Sequence, residues 1–105
     1  SIFLINNAGV VEPMGPLDQC DIHSILNHFN LNAVAPLVLS SIFVNQTKTW
    51  KINKGIVNIS SGAGRNPYFG WSCYCSSKAS LEMLTKCLQL EYGSDYKRTS
   101  IPGCI

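Results

Sequence analysis

The sequence predicts an α/β protein built on a doubly wound parallel sheet. Three observations carry that: two short β-branched runs, helical apolar spacing after each, and a polar, glycine-bearing cluster at the end of each run. Ile2-Phe3-Leu4-Ile5 is a continuous apolar run closed by Asn6-Asn7-Ala8-Gly9, the pattern of a strand buried on both faces that enters a turn. Residues 9–18 hold Pro13, Gly15 and Pro16 and read as a loop. Asp18 or Asp21 then caps a long helix to about Asn45, whose apolar side is Ile22, Ile25, Leu26, Phe29, Ala33, Val34, Leu37, Val38 and Ile42. Pro36 is expected to kink it, since proline removes an intrahelical bond and crowds the preceding turn.

Residues 46–54 are polar apart from Trp50 and suit a surface connection. Gly55-Ile56-Val57-Asn58-Ile59-Ser60-Ser61 is a second strand, ending in hydroxyls and a Gly62-Ala63-Gly64 turn. After an irregular stretch, a second helix starts near Ser72, turns Ala79, Leu81, Leu84, Cys87 and Leu88 to one side, and stops near Gly93. The tail from Ser94 is polar before Ile101-Pro102-Gly103, with room for one further strand. Phe3, Phe29, Phe43, Met83 and Leu84 are expected in the core.

The chain has 105 residues, 46% hydrophobic and only 13% charged. Globular chains average about 25% charged. So few charges argue against disorder, and for a sheet buried on both sides or for surface that faces a partner. A net charge of +2, with basic and acidic residues scattered, leaves no footprint for nucleic acid or an anionic membrane. No apolar run approaches the roughly 20 residues that a membrane span needs. Five cysteines without disulfide-framework spacing, and no leader-like segment, point to a reducing cytoplasm. The chain opens without methionine directly in a strand, like the interior of a longer protein.

Chemistry concentrates where parallel strands end, because ligands of such sheets bind outside the carboxyl edge. Tyr74 and Lys78 are four apart at the start of the second helix and therefore share a face. A cation beside a phenol favours its ionised form, which is what a tyrosine acid needs. Ser61 ends the preceding strand and can aim a second hydroxyl at the same carbonyl oxygen. Pro67, Tyr68, Phe69 and Trp71 lie between the two and are expected to shape an apolar pocket, Phe69 and Trp71 touching substrate.

Asn6-Asn7-Ala8-Gly9, Asn30 in Phe29-Asn30-Leu31, the strand ending in Ser60-Ser61, and Tyr74-Cys75-Ser76-Ser77-Lys78-Ala79 together resemble, in order and spacing, the short-chain dehydrogenase/reductase family. Within it, residues 9–13 and 60–71 look most like the benzil reductases and sepiapterin reductase-like members. The resemblance implies a Rossmann-type sheet and reduction of a small-molecule carbonyl, a ketone or diketone, by NADPH in preference to NADH. It makes Tyr74 the proton donor, Lys78 its tuner and the ligand of the nicotinamide ribose, and Ser61 the group that polarises the carbonyl. Asn30 would hold a relay water from a local break in the first helix. Asn7, Ala8 and Gly9 would line the cofactor, Tyr74 and Lys78 would also bind it, and the complete protein would be a homodimer or homotetramer.

The same resemblance implies that residues 1–105 are the catalytic half of a single NAD(P)-binding domain, from about the family's fourth strand to the start of its sixth. The glycine-rich cofactor turn is not among them, so the alternative is an inactive remnant. Other candidates have plainer roles. Cys20, His23 and His28 lack a fourth ligand and common face for a metal, and are expected to be exposed or partly buried side chains. Cys73 and Cys75 flank Tyr74 and are expected to pack rather than react. Glu12 is expected to be an ordinary loop carboxylate.

Overall fold

The computed structural model describes residues 1–7 and 9–102, with side chains throughout except at 60 and 97–102. In chain order the elements are β1 (Ile2–Asn6), a 3₁₀ turn (Leu17–Gln19), α1 (Ile22–Phe29), a π-helical turn (Asn30–Val34) and α2 (Ala35–Thr47). Then follow β2 (Lys54–Ser60), a 3₁₀ turn (Gly62–Gly64), α3 (Ser72–Tyr92) and β3 (Lys97–Pro102). The three strands are parallel in the order β1-β2-β3. The polar tail does form a strand: Lys97 lies opposite Gly55 and Ile101 opposite Ile59. Ladder hydrogen bonds to β2 make it, not an apolar pattern.

The core joins Val44 of α2, Ile56 of β2, Leu88 of α3 and Tyr96, with Leu4, Phe43, Leu84 and Tyr92 against them. Helices and sheet thus form two layers. Alternation along β1 turns Leu4 inward, while Phe3 and Ile5 are 48% and 60% exposed on the other face. Among the described residues α2 and α3 pack on the same side of the sheet, so a layer over the other face of β1, as expected for a strand buried on both faces, is not among them. For the same reason Phe3 lies outside the core; Met83 does too, exposed in the groove between α2 and α3.

Asp21 caps α1, its carboxylate accepting from Ser24 N at 3.1 Å. The helical stretch is interrupted one turn earlier than a kink at Pro36 would put it. Pro36 has no N–H to give the carbonyl four residues back, that of Asn32, and its ring crowds that turn. The backbone widens there, with Ala35 N donating to Asn30 O across five residues. Pro36 itself sits in the first turn of α2, where its fixed φ suits the helix while its missing N–H leaves the Asn32 carbonyl without its i+4 donor. Ile22–Thr47 is long and apolar enough to cross a bilayer by length and composition alone. It nevertheless buries His28, Asn32, Ser40 and Thr47, which is how a helix lying on a polar-edged sheet is built.

A buried amide chain ties the layers together. Asn6 Nδ2 donates to Asn58 Oδ1 at 2.7 Å, and Asn58 Nδ2 donates to Thr85 Oγ1 at 2.8 Å. One side chain therefore bridges β1, β2 and α3 at the sheet edge. Asn58→Ala in the full-length protein takes the shorter of the Asn6 amide's two bonds, leaving it Ser40 Oγ at 3.4 Å, leaves Thr85 without its donor, and is expected to cost about 1–3 kcal/mol. A urea midpoint that falls without a change in slope would report it, and an unchanged midpoint would refute it.

Candidate active site

Parallel pairing with Asn6 opposite Asn58 brings the ends of β1 and β2 to one edge. Ser61 follows β2 with extended backbone and caps the next turn, its Oγ accepting from Ala63 N at 3.0 Å. That contact uses a lone pair and leaves the O–H of this buried serine to donate. Gly64 lets the turn press against α3: a Cβ there would lie 3.0 Å from Lys78 O. Arg65 and Glu82 add an ion pair at 2.9 Å across the same junction.

On α3, Tyr74 and Lys78 are both buried, and Lys78 Nζ lies 5.7 Å from the centre of the Tyr74 ring. The ammonium donates to Ile59 O at 3.3 Å. Burial holds its pKa below the ordinary lysine value, because desolvation penalises the charged form. Trp71 meets Tyr74 edge-on at 5.7 Å, and Tyr68 packs on Trp71 at 5.6 Å. Phe69 goes the other way and is 91% exposed. It stands at the corner of a turn closed by Trp71 N donating to Tyr68 O, with Gly70 at φ +79°. The structure thus brings Trp71 to Tyr74 and turns Phe69 to solvent, while Tyr68, itself 45% exposed, lays its ring against Trp71.

The segment after β1 contributes backbone. Asn7 is exposed at the strand end, and Ala8 lies outside the described residues. A Cβ on Gly9 would be 3.4 Å from Asn32 Oδ1 and 3.6 Å from Lys78 Nζ, so main chain, amide and ammonium converge there. The asparagine at this point is Asn32. Asn30 is exposed at the start of the π-helical turn, two residues and more than half a helical turn away, which corrects its expected place in the site. Asn32 is 3% exposed; its Oδ1 accepts from Val10 N at 2.9 Å and its Nδ2 donates to Val10 O at 2.7 Å. The signal was present in the sequence as Pro36, four residues after Asn32, which removes the partner of that residue's carbonyl.

His28 is a second departure. Instead of an exposed or partly buried side chain it is 1% exposed, one helical turn before Asn32 and edge-on to Tyr74 at 6.4 Å. Its i, i+4 spacing from Asn32 was the available sign. Cys73 is buried, and that burial pushes its thiol pKa up, as expected of a packing residue and not of a reactive thiolate. Cys75 Sγ donates to Asn66 O at 3.6 Å.

Against known proteins, residues 2–101 match the family model described as short chain dehydrogenase. The chain is 48% identical over 91 residues to benzil reductase ((S)-benzoin forming) of Bacillus cereus, covering 87% of the chain and 36% of that protein. It is 33% identical over 105 residues to sepiapterin reductase of Rattus norvegicus, covering 97% of the chain and 40% of that protein. A crystal structure of a short-chain dehydrogenase/reductase from Burkholderia vietnamiensis superposes with a TM-score of 0.92 at 36% identity, covering the whole chain and 49% of that structure. The chain therefore spans well under half the length of these two curated relatives. Matched over nearly all its residues and sharing the parallel sheet with Ser61, Tyr74 and Lys78 along one edge, the chain belongs to the short-chain dehydrogenase family.

Proposed function

We propose that the full-length protein carrying this chain is an NADPH-dependent reductase of aromatic ketones or diketones, and that residues 1–105 are its catalytic half. The observation that carries this reading is the buried Tyr74–Lys78 turn, with Asn32, Gly9 and Ser61 at the same sheet edge. The residues present fit the nicotinamide end of a dinucleotide. Lys78 has three N–H donors, and Ile59 O takes one among the described residues, which leaves two for ribose hydroxyls. The backbone at Gly9 is open to close approach for want of a side chain. When bound, the nicotinamide supplies the hydride.

The chain's own groups handle the oxygen. Ser61 donates its O–H to the substrate carbonyl and orients it. Tyr74 gives its proton as negative charge grows on that oxygen, and the Lys78 ammonium stabilises the phenolate left behind. Asn32, in place of Asn30, offers the main-chain carbonyl freed by Pro36 to a water that returns a proton toward Lys78. Trp71 and Tyr68 wall the substrate side, which suits an aromatic group. A buried ammonium costs stability, and a remnant without catalysis would gain nothing from keeping one.

The benzil reductase likeness supports a diketone substrate, and the cysteine spacing of the sequence, unlike a disulfide framework, supports a cytoplasmic location. The apolar groove between α2 and α3, lined by Ala33, Leu37, Leu81, Met83, Leu84 and Cys87, supports assembly as a homodimer or homotetramer. The test is turnover of benzil, a pterin and a steroid ketone by the full-length protein with NADPH and with NADH. Fastest reduction of benzil with NADPH is expected. No turnover of any carbonyl with either dinucleotide would overturn the reading.

A further inference from the structure

His28 sits at the centre of a buried polar cluster that the reduction chemistry does not itself require. Its Nδ1 is 2.8 Å from Glu12 O, and its Nε2 is 2.8 Å from Ser77 Oγ and 3.2 Å from Asn32 Nδ2. A carbonyl oxygen only accepts, so Nδ1 carries a hydrogen. The Asn32 amide is oriented independently by its paired bonds to Val10 N and Val10 O, since a flipped amide would set oxygen against oxygen. Asn32 Nδ2 lies 3.2 Å from Nε2 and 3.4 Å from Ser77 Oγ, so its second N–H has Nε2 as the nearer acceptor. Ser77 Oγ also reaches Tyr74 O at 3.0 Å, so the cluster extends to the backbone of the tyrosine.

The geometry points to His28 as a positioning residue: an imidazole with a hydrogen on Nδ1 that joins the Val10–Glu12 loop, the Asn32 turn and the Tyr74–Lys78 turn of α3. Three segments distant in sequence thus share one rigid ring, and the ring sets where Asn32 and Tyr74 stand relative to Lys78. Neither the carbonyl nor the dinucleotide needs to touch it. The inference rests on the reductase reading above for its effect on rate, and on hydrogen-bond geometry alone for the tautomer.

Two conservative variants of the full-length protein separate the arms of the ring. His28→Asn keeps a donor near Glu12 O but withdraws the acceptor from Asn32 and Ser77. His28→Gln extends an amide oxygen to the Nε2 position and restores that acceptor. The expected result is a kcat about 10²-fold lower in His28→Asn with KM little changed, as for a displacement of about 1 Å in the catalytic groups. His28→Gln is expected to recover most of that loss. Equal kcat in wild type and His28→Asn, or a loss in His28→Asn that His28→Gln does not relieve, would overturn the proposal. The ring also has a readout that no variant disturbs: imidazole nitrogen–proton correlation spectra of the wild type should show the Nδ1–H form, and an Nε2–H form would refute it. A wild type without carbonyl turnover would sink the reductase reading, while the spectra would still decide the arrangement of His28.

Discussion

Tyr74→Phe in the full-length protein lowers kcat for carbonyl reduction by about 10²–10⁴-fold, the range that a lost general acid removes. The substitution isolates the hydroxyl. Its ring is held by Trp71 and His28 through edge contacts at 5.7 and 6.4 Å, and both contacts survive in phenylalanine. Dinucleotide binding, followed by quenching of protein fluorescence, should be nearly unchanged because Lys78 and Gly9 remain in place. Turnover near the wild-type value would show that another group protonates the product, and would remove Tyr74 from the reaction.

Lys78→Met separates stability from activity in opposite directions. The folded protein binds the Lys78 proton less tightly than the unfolded chain does, since burial lowers the pKa from its ordinary value of 10.5. Between the lowered value and 10.5 the unfolded state holds more protons, so stability from this group rises with pH. Below that window its burial cost is present in full; above the unfolded value it vanishes. Methionine matches the stem without the charge, so the variant should melt at or above the wild-type temperature near neutrality, and the advantage should shrink toward pH 10.5. Its kcat should fall by about 10²–10³-fold, as when a preorganised charge is taken from a developing anion. A variant that melts well below wild type would make the ammonium a structural group and refute the assignment.

Much of this arrangement was legible in the residues. The second strand was read at 55–61 against an observed Lys54–Ser60, and the last helix from Ser72 to a stop at Gly93 against Ser72–Tyr92. Both carry strong local signals, a β-branched run between turns and a long helical period. Tyr74 and Lys78 needed only the helix to be right, because i, i+4 neighbours meet on any regular helix. Asn30 and Asn32 could not be told apart on that basis. They flank Leu31 in a turn whose phase changes when the backbone widens to accommodate Pro36, and the face each presents follows from that phase. Phe69 left the aromatic group that Tyr68 and Trp71 form for a similar reason, the turn at the positive-φ Gly70 pointing it to solvent.

The sequence by itself determined the α/β class and the parallel sense of its strands, and through its resemblance it singled out Ser61, Tyr74 and Lys78 as candidates. The first two depend on local patterning within each element, and the candidates on residue type and the spacing of motifs along the chain. Only the tertiary structure decided that Asn32 enters the site, that Phe69 leaves it, and that His28 is enclosed between the loop after β1 and α3. Those outcomes depend on which faces of separate segments pack together, and desolvation on packing, more than any local preference, makes a polar side chain take a partner.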